Sequence, residues 1–244
     1  DPRLPPRWLR TAGRGDFEAV GSGYLDLFVR IGGLRPGDAV LDIGCGAGRM
    51  ALPLTRYLDD AGSYEGFDVV PAAVRWCQRH ITPRHPRFRF TVVDLANARY
   101  RPAGRRSAGE CSFPYPDATF DFAIATSLFT HLGPDALARY VAETARVLRP
   151  GGRLLATLFL VDDGAAQRID DGATALRLTC RGAGFRTLAA HPDDPEFLVA
   201  YDETVVRDLL GRHGLAIVEP VHRGTWVDPA SEVGEQDVLV ARLP

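Results

Sequence analysis

A single three-layer α/β domain around a mainly parallel sheet is the fold class this sequence predicts, and three observations predict it. Short apolar runs of strand character alternate with segments of helical spacing from residue 39 to residue 160. The chain has 244 residues, long enough for one substantial core. Its hydrophobic share of 45% and charged share of 25% are those of a globular protein, which argues against disorder on a large scale.

The first 36 residues hold a Pro/Arg-rich tip and then an apolar-periodic segment at Tyr24, Leu25, Phe28 and Ile31, closed by Gly32-Gly33, which predicts an N-terminal helix with a glycine stop. Ala39-Val40-Leu41-Asp42-Ile43 reads as a short buried strand running directly into Gly44-Cys45-Gly46-Ala47-Gly48. Met50, Leu54 and Leu58 then space a helix over 49–58. Residues 64–69 suit a strand, 72–81 a helix behind Pro71, and 88–93 an alternating strand. A loop rich in Arg, Gly and Pro over 97–116 precedes 120–125, an apolar run that suits a strand buried on both faces.

Ala136, Leu137, Tyr140, Val141, Thr144, Val147 and Leu148 fall at helical spacing, and Pro150-Gly151-Gly152 stops that helix before a strand over 153–160. Alternation of this kind implies right-handed crossovers between parallel strands. From 161 to 200 the pattern breaks into Gly, Asp and Pro clusters around short apolar runs, read as an inserted cap or hairpin. Val205, Val206, Leu209 and Leu210 mark a further helix, and 215–218 and 238–243 two closing strands. There is no internal repeat.

A formal net charge of -2 and a pI near 6.3 provide no bulk attraction to phosphate backbones, so nucleic acid is not an expected partner despite the local arginines at 101–106. No stretch approaches the ~18 apolar residues of a membrane span, and Asp1-Pro2-Arg3-Leu4-Pro5-Pro6 lacks a signal-peptide core; no membrane partner and a cytoplasmic location are expected. Cys45, Cys77, Cys111 and Cys180 show no CxxC spacing, which predicts reduced thiols, no zinc and no disulfide framework. No pattern in the chain sets an oligomeric state.

Glycines between a first strand and a helix let backbone N–H groups approach a ligand closely, because no Cβ intervenes. A dinucleotide site wants G-x-G-x-x-G/A, and counting from Gly44 the third small residue is replaced by Arg49. That weighs against a nicotinamide-dependent oxidoreductase, as does the lack of an obvious catalytic Tyr-Lys pair.

The run Val40-Leu41-Asp42-Ile43-Gly44-Cys45-Gly46-Ala47-Gly48-Arg49 resembles the first motif of class I S-adenosylmethionine-dependent methyltransferases. Gly66-Phe67-Asp68 resembles the end of that family's second strand, and Val93-Asp94-Leu95 the end of its third. Residues 113–121 resemble the lead-in to the fourth strand and 146–154 the approach to the fifth, so the resemblance covers about 38–160 with five motifs in order. It implies a Rossmann-like seven-stranded sheet whose last strand is antiparallel, with S-adenosylmethionine as cofactor and S-adenosylhomocysteine as product. The implied cofactor-binding residues are Asp42, Gly44, Cys45, Gly46, Gly48, Asp68, Val69, Asp94, Leu95 and Thr126. Asp68 takes the ribose hydroxyls in this reading, Asp94 the adenine amino group, and Asp42 faces the positively charged methionine end. An acid at a strand end has a plain alternative as a helix cap or solvated charge, and Cys45 one as a packing residue.

Methyl transfer from a sulfonium is an in-line displacement that needs an aimed nucleophile and, for a hydroxyl, a route for its proton. In the segment Thr126-Ser127-Leu128-Phe129-Thr130-His131, His131 is the candidate general base, its alternative being a histidine at a helix start that packs or bonds the backbone. The Asn/Asp-Pro-Pro-aromatic signature of amino-group methylases is absent here, and so are acidic metal ligands. The substrate-side elements expected are Gly13-Arg14-Gly15-Asp16-Phe17 and the cap over 161–200. Tyr24, Phe159, Phe185, His191, Tyr201, His222 and Trp226 are candidates for an acceptor pocket, and Arg223 for pairing an acidic acceptor. The resulting expectation is methyl transfer to a small-molecule acceptor, with oxygen as the acceptor atom. A non-catalytic module that binds the same cofactor, an aminopropyl transferase and the oxidoreductase stand as alternatives.

Overall fold

The computed structural model describes residues 4–10, 15–97, 100–188, 191 and 194–244. The buried run Ala39–Ile43 forms β1, and β2 (Ser63–Asp68), β3 (Phe88–Val92), β4 (Phe120–Ala125) and β5 (Leu148–Val161) follow in the order in which their apolar runs occur. β1 lies parallel between β2 and β4, with β3 outside β2 and β5 outside β4. β10 (Asp237–Arg242) runs antiparallel to both β5 and β9 (Ala216–His222). The central sheet therefore has the order β3-β2-β1-β4-β5-β10-β9, seven strands with the last in sequence antiparallel.

Alternation along each strand separates two helix layers. Val40, Phe122, Ile124, Val238 and Val240 face a cluster with α1 (Phe17–Arg30), α2 (Ala51–Tyr57) and α3 (Pro71–His80). Leu41, Ile43, Ala123, Ala125, Leu239 and Ala241 face the opposite cluster with α4 (Pro134–Val147) and α6 (Glu203–Arg212). Asp16 caps α1 by accepting from the N–H groups of Glu18 and Ala19, at 3.1 and 2.9 Å. α4 ends at Val147, before Pro150-Gly151-Gly152, and those residues lie inside β5, where the pairing with β4 shifts register between Phe120 and Phe122.

The segment 161–200, expected as an inserted cap or hairpin, contains a hairpin that joins the sheet. After α5 (Asp163–Asp170), β6 (Leu178–Gly182) and β7 (Phe185–Leu188) form an antiparallel hairpin, and β7 pairs with β8 (Val199–Asp202). β8 pairs in turn with the last residues of β5, Phe159 to Val161, so the segment widens the sheet to ten strands among the described residues. The physical reason is the 14-residue length of β5, whose end projects beyond β10 and offers an edge for a further strand. No helix among the described residues is long and apolar enough to cross a membrane.

Candidate active site

The turn after β1 is shaped by three glycines at positive φ, Gly44 at 82°, Gly46 at 50° and Gly48 at 79°. The N–H groups of Gly44 and Cys45 both donate to the Phe67 carbonyl, at 2.9 and 3.0 Å, which ties the turn to the end of β2. A Cβ at Gly46 would meet nothing within 4 Å, whereas one at Gly48 would lie 2.8 Å from Ile81 Cδ1 and 3.1 Å from Cys77 Sγ. Gly46 is thus the open side of the turn. Gly48, expected at the cofactor, lets α3 pack against the turn and lines neither cavity described below.

Two adjoining cavities flank this turn, of about 460 and 350 Å³, sharing Leu9, Gly44, Gly46, Thr126 and Ser127 on their walls. Asp68, Val69 and Leu95 line the smaller. Asp68 accepts from Gly46 N–H and Val70 N–H through different oxygens, both at 2.8 Å. Burial raises its pKa against the lowering effect of those bonds. Each carboxylate oxygen has a second lone pair, so both can still accept from vicinal hydroxyls.

Asp42 and Cys45 line the larger cavity. Asp42 is 1% exposed; its Oδ2 accepts from Tyr64 Oη at 2.5 Å, and its Oδ1 is buried without a hydrogen-bond partner among the described residues. Burial pushes its pKa up to about 7, with the Tyr64 bond lowering it and the Asp68 charge raising it. An orphaned carboxylate oxygen on a cavity wall suits a cationic ligand, since a buried acceptor is costly unless it is paired. Burial also keeps the Cys45 thiol protonated, and the free thiols of Cys45, Cys77 and Cys111 are all buried.

Asp94 departs from the expected placement. It pairs with Arg101 at 2.7 Å, with Arg105 at 3.8 Å, and lines neither cavity. The arginines of the 97–116 loop draw it outward, while its neighbour Leu95 turns inward. His131 ends a 3-10 turn over Phe129–His131 and lines the smaller cavity. Its Nδ1 lies 3.2 Å from the Glu196 carbonyl, which places the proton on Nδ1 and makes Nε2 the basic nitrogen.

Of the aromatic residues named for an acceptor pocket, Tyr24 lines the larger of these two cavities and the others line neither. Phe159 and Trp226 pack edge-to-face in a small cluster under α5, Tyr201 bonds the Leu132 carbonyl and packs on Phe185, and His191 stacks on Phe197. His222 sits in β9, paired with Val238 of β10. Arg223 pairs with Asp162 and Glu203 rather than facing a ligand. No described residue of 161–200 lines either cavity, whereas Leu9, Phe17 and Tyr24 of the N-terminal segment do. Gly13 and Arg14 lie outside the described residues.

Thr157 and Gln236, which the sequence reading did not name, form a polar group with Ser127 at the larger cavity. Thr157 Oγ1 donates to Gln236 Oε1 at 2.5 Å and accepts from Ser127 N–H at 2.8 Å, while Ser127 Oγ donates to Gln236 Oε1 at 3.3 Å. Burial raises the pKa of the Tyr24 hydroxyl, and the polar groups of Ser127 and Thr157 near it act in the opposite direction. Ser127 holds φ at 52°, a conformation uncommon for a residue with a Cβ. Nothing in the local pattern marks Thr157 and Gln236, because α1, β4, β5 and the loop before β10 meet only in the fold.

Comparison with known proteins agrees with this geometry. Residues 40–152 match the family model described as a methyltransferase domain. A phthiotriol/phenolphthiotriol dimycocerosates methyltransferase 1 of Mycobacterium ulcerans is 37% identical over 123 residues, which are 50% of this chain and 37% of that protein. The 27-O-demethylrifamycin SV methyltransferase of Amycolatopsis mediterranei is 33% identical over 129 residues, 52% of this chain and 41% of the relative. The matches thus span less than half the length of these curated relatives. The crystal structure of Burkholderia thailandensis 1,6-didemethyltoxoflavin-N1-methyltransferase, with 1,6-didemethyltoxoflavin and S-adenosylhomocysteine bound, superposes with a TM-score of 0.56 at 22% identity, covering 93% of this chain and 79% of that one.

Proposed function

We propose, from the premise that this chain carries a class I S-adenosylmethionine-dependent methyltransferase domain, that it methylates a small-molecule acceptor, with oxygen as the acceptor atom. The observation that carries the reading is the open face of Gly46 set between two acids, half-buried Asp68 on the smaller cavity and buried Asp42 on the larger. S-adenosylmethionine, when bound, supplies an electrophilic methyl group on a sulfonium.

The chain's own residues divide the remaining work. Asp68 and the backbone at Val69 and Leu95 hold the ribose and adenine side, and Asp42 meets the positive charge of the methionine end. Leu9 and Leu128 cover the turn and exclude water. His131 and Tyr24 flank the shared edge at Thr126-Ser127 from opposite cavities. His131, with Nε2 as its basic nitrogen, takes the acceptor's hydroxyl proton; Tyr24, a phenol kept neutral by burial, donates a hydrogen bond that orients the acceptor oxygen. Two curated relatives whose names specify small molecules support the acceptor class, and the O-methyl product implied by one name supports the atom.

Thermal denaturation with S-adenosylhomocysteine or NAD tests the cofactor assignment, and stabilisation by NAD alone would overturn it. Release of S-adenosylhomocysteine from S-adenosylmethionine over a panel of hydroxylated small molecules tests the activity. Cofactor binding without product from any hydroxyl acceptor, alongside product from amines, would move the acceptor atom to nitrogen.

A further inference from the structure

We propose that Tyr64 is a positioning residue of the cofactor site, holding one oxygen of Asp42 so that the other receives a cationic ligand group from the larger cavity. The proposal rests on the cofactor reading above for the identity of that ligand.

Tyr64 lies on β2, its ring fully buried and clamped by Phe88 at 5.0 Å and Phe90 at 5.5 Å between centroids. In the β1–β2 register Tyr64 stands beside Val40, and Gly66 stands beside Asp42. A Cβ at Gly66 would fall 3.0 Å from Tyr64 Cε1 and 2.9 Å from Cys45 Cβ. The missing side chain at position 66 is therefore what lets the Tyr64 ring cross toward Asp42 and donate to Oδ2 at 2.5 Å. A larger residue there would separate donor from acceptor. With Oδ2 engaged, Oδ1 is the oxygen left for a ligand.

The surroundings of Asp42 make this bond matter for binding and not only for packing. Asp68 from the end of β2, Cys45 from the turn and Cys77 from α3 all face Asp42 or its hydroxyl partner, and Arg49 lines the same cavity. Burial and the Asp68 charge favour the protonated acid, while the Tyr64 bond favours the carboxylate. A ligand ammonium binds the carboxylate form, so binding releases a proton from the protonated fraction. The sign follows: affinity rises with pH through the Asp42 titration near 7 and then levels. Removing the Tyr64 hydroxyl raises that titration and carries the rise to higher pH.

The probe is S-adenosylhomocysteine, measured by calorimetry from pH 6 to 8.5 on the wild-type chain and on Tyr64→Phe, which keeps the ring. The variant should bind roughly 10-fold more weakly at pH 6 to 6.5 and within about two-fold of wild type at pH 8.5, as a shift of about one pKa unit requires. A merely structural role would lower affinity equally at every pH, and parallel profiles would overturn the proposal. Should the variant fail to fold, the wild-type chain carries the test in two buffers of different ionisation enthalpy. There about half a proton should leave per ligand bound at pH 7, and none would overturn the coupling. Absence of wild-type binding at any pH would overturn the cofactor reading itself.

Discussion

Gly46 N–H donates to Asp68 Oδ2 at 2.8 Å, so the open residue of the glycine turn and the acid at the end of β2 are held as one unit. Replacing Asp68 by Ala removes the proposed ribose acceptor and leaves two backbone donors, Gly46 and Val70, without their partner. The expected result is a loss of S-adenosylhomocysteine affinity of ~100-fold and a stability loss of about 1–3 kcal/mol. Calorimetry and denaturant melts check the two effects, and normal affinity would contradict the ribose assignment.

His131 and Tyr24 are separable by kinetics. His131→Ala should lower turnover by ~100-fold while cofactor affinity stays within a few-fold, because its imidazole is assigned to the acceptor proton and not to the cofactor. Unchanged turnover would remove it from the mechanism. Tyr24→Phe should instead raise the acceptor KM by roughly 5-fold or more with a smaller effect on kcat, the mark of lost orientation through a hydrogen bond.

Ser127 sits at φ 52° where the two cavities meet. A β-branched residue tolerates that conformation poorly, so Ser127→Val should cost about 1–3 kcal/mol, read as a lower melting temperature. Ser127→Gly relieves the backbone but loses the bond to Gln236, and its stability should fall within about 1 kcal/mol of wild type. Equal melting temperatures for the Val and wild-type proteins would show that the turn relaxes at no cost.

The raised titration of Asp42 also sets a pH dependence of stability in the unliganded protein. Its folded-state value of about 7 stands above the 3.8 of the free side chain, so the folded state binds the extra proton between them. Its stabilising contribution is present below pH 4 and is lost as pH rises to 7. Asp42→Asn removes this loss, and the variant should gain stability relative to wild type between pH 4 and 7, on the order of 1–4 kcal/mol, while binding S-adenosylhomocysteine more weakly. Denaturant melts at pH 5 and 7.5 check this, and a stability difference that does not grow with pH would exclude Asp42 as the titrating group.

Much of the architecture was legible in the chain. The runs at 39–43 and 120–125 became β1 and β4 over those same residues, and the spacing from Ala136 to Val147 became most of α4, because apolar periodicity states directly which face a segment must bury. The stretch 161–200 was legible only as far as its hairpin: its strands are short, and their place in the sheet depends on the free edge that β5 presents. At the site, Asp42 and Asp68 stand on cavity walls beside the glycine turn because β1 and β2 converge there. Asp94 occupies a similar strand end, yet nearby Arg101 captures it.

The sequence by itself determined the order of strands and helices, the glycine spacing that separates this turn from a dinucleotide loop, and the acids that flank it, since each depends on neighbours a few residues apart. The tertiary structure decided what those acids touch. Tyr64 reaches Asp42 only through the β1–β2 register and the missing side chain at Gly66, and Tyr24, Ser127, Thr157 and Gln236 meet only after four distant segments pack. A hydrogen bond of 2.5 to 3.3 Å between side chains so far apart in sequence is set by strand register and layer packing, which no local pattern encodes.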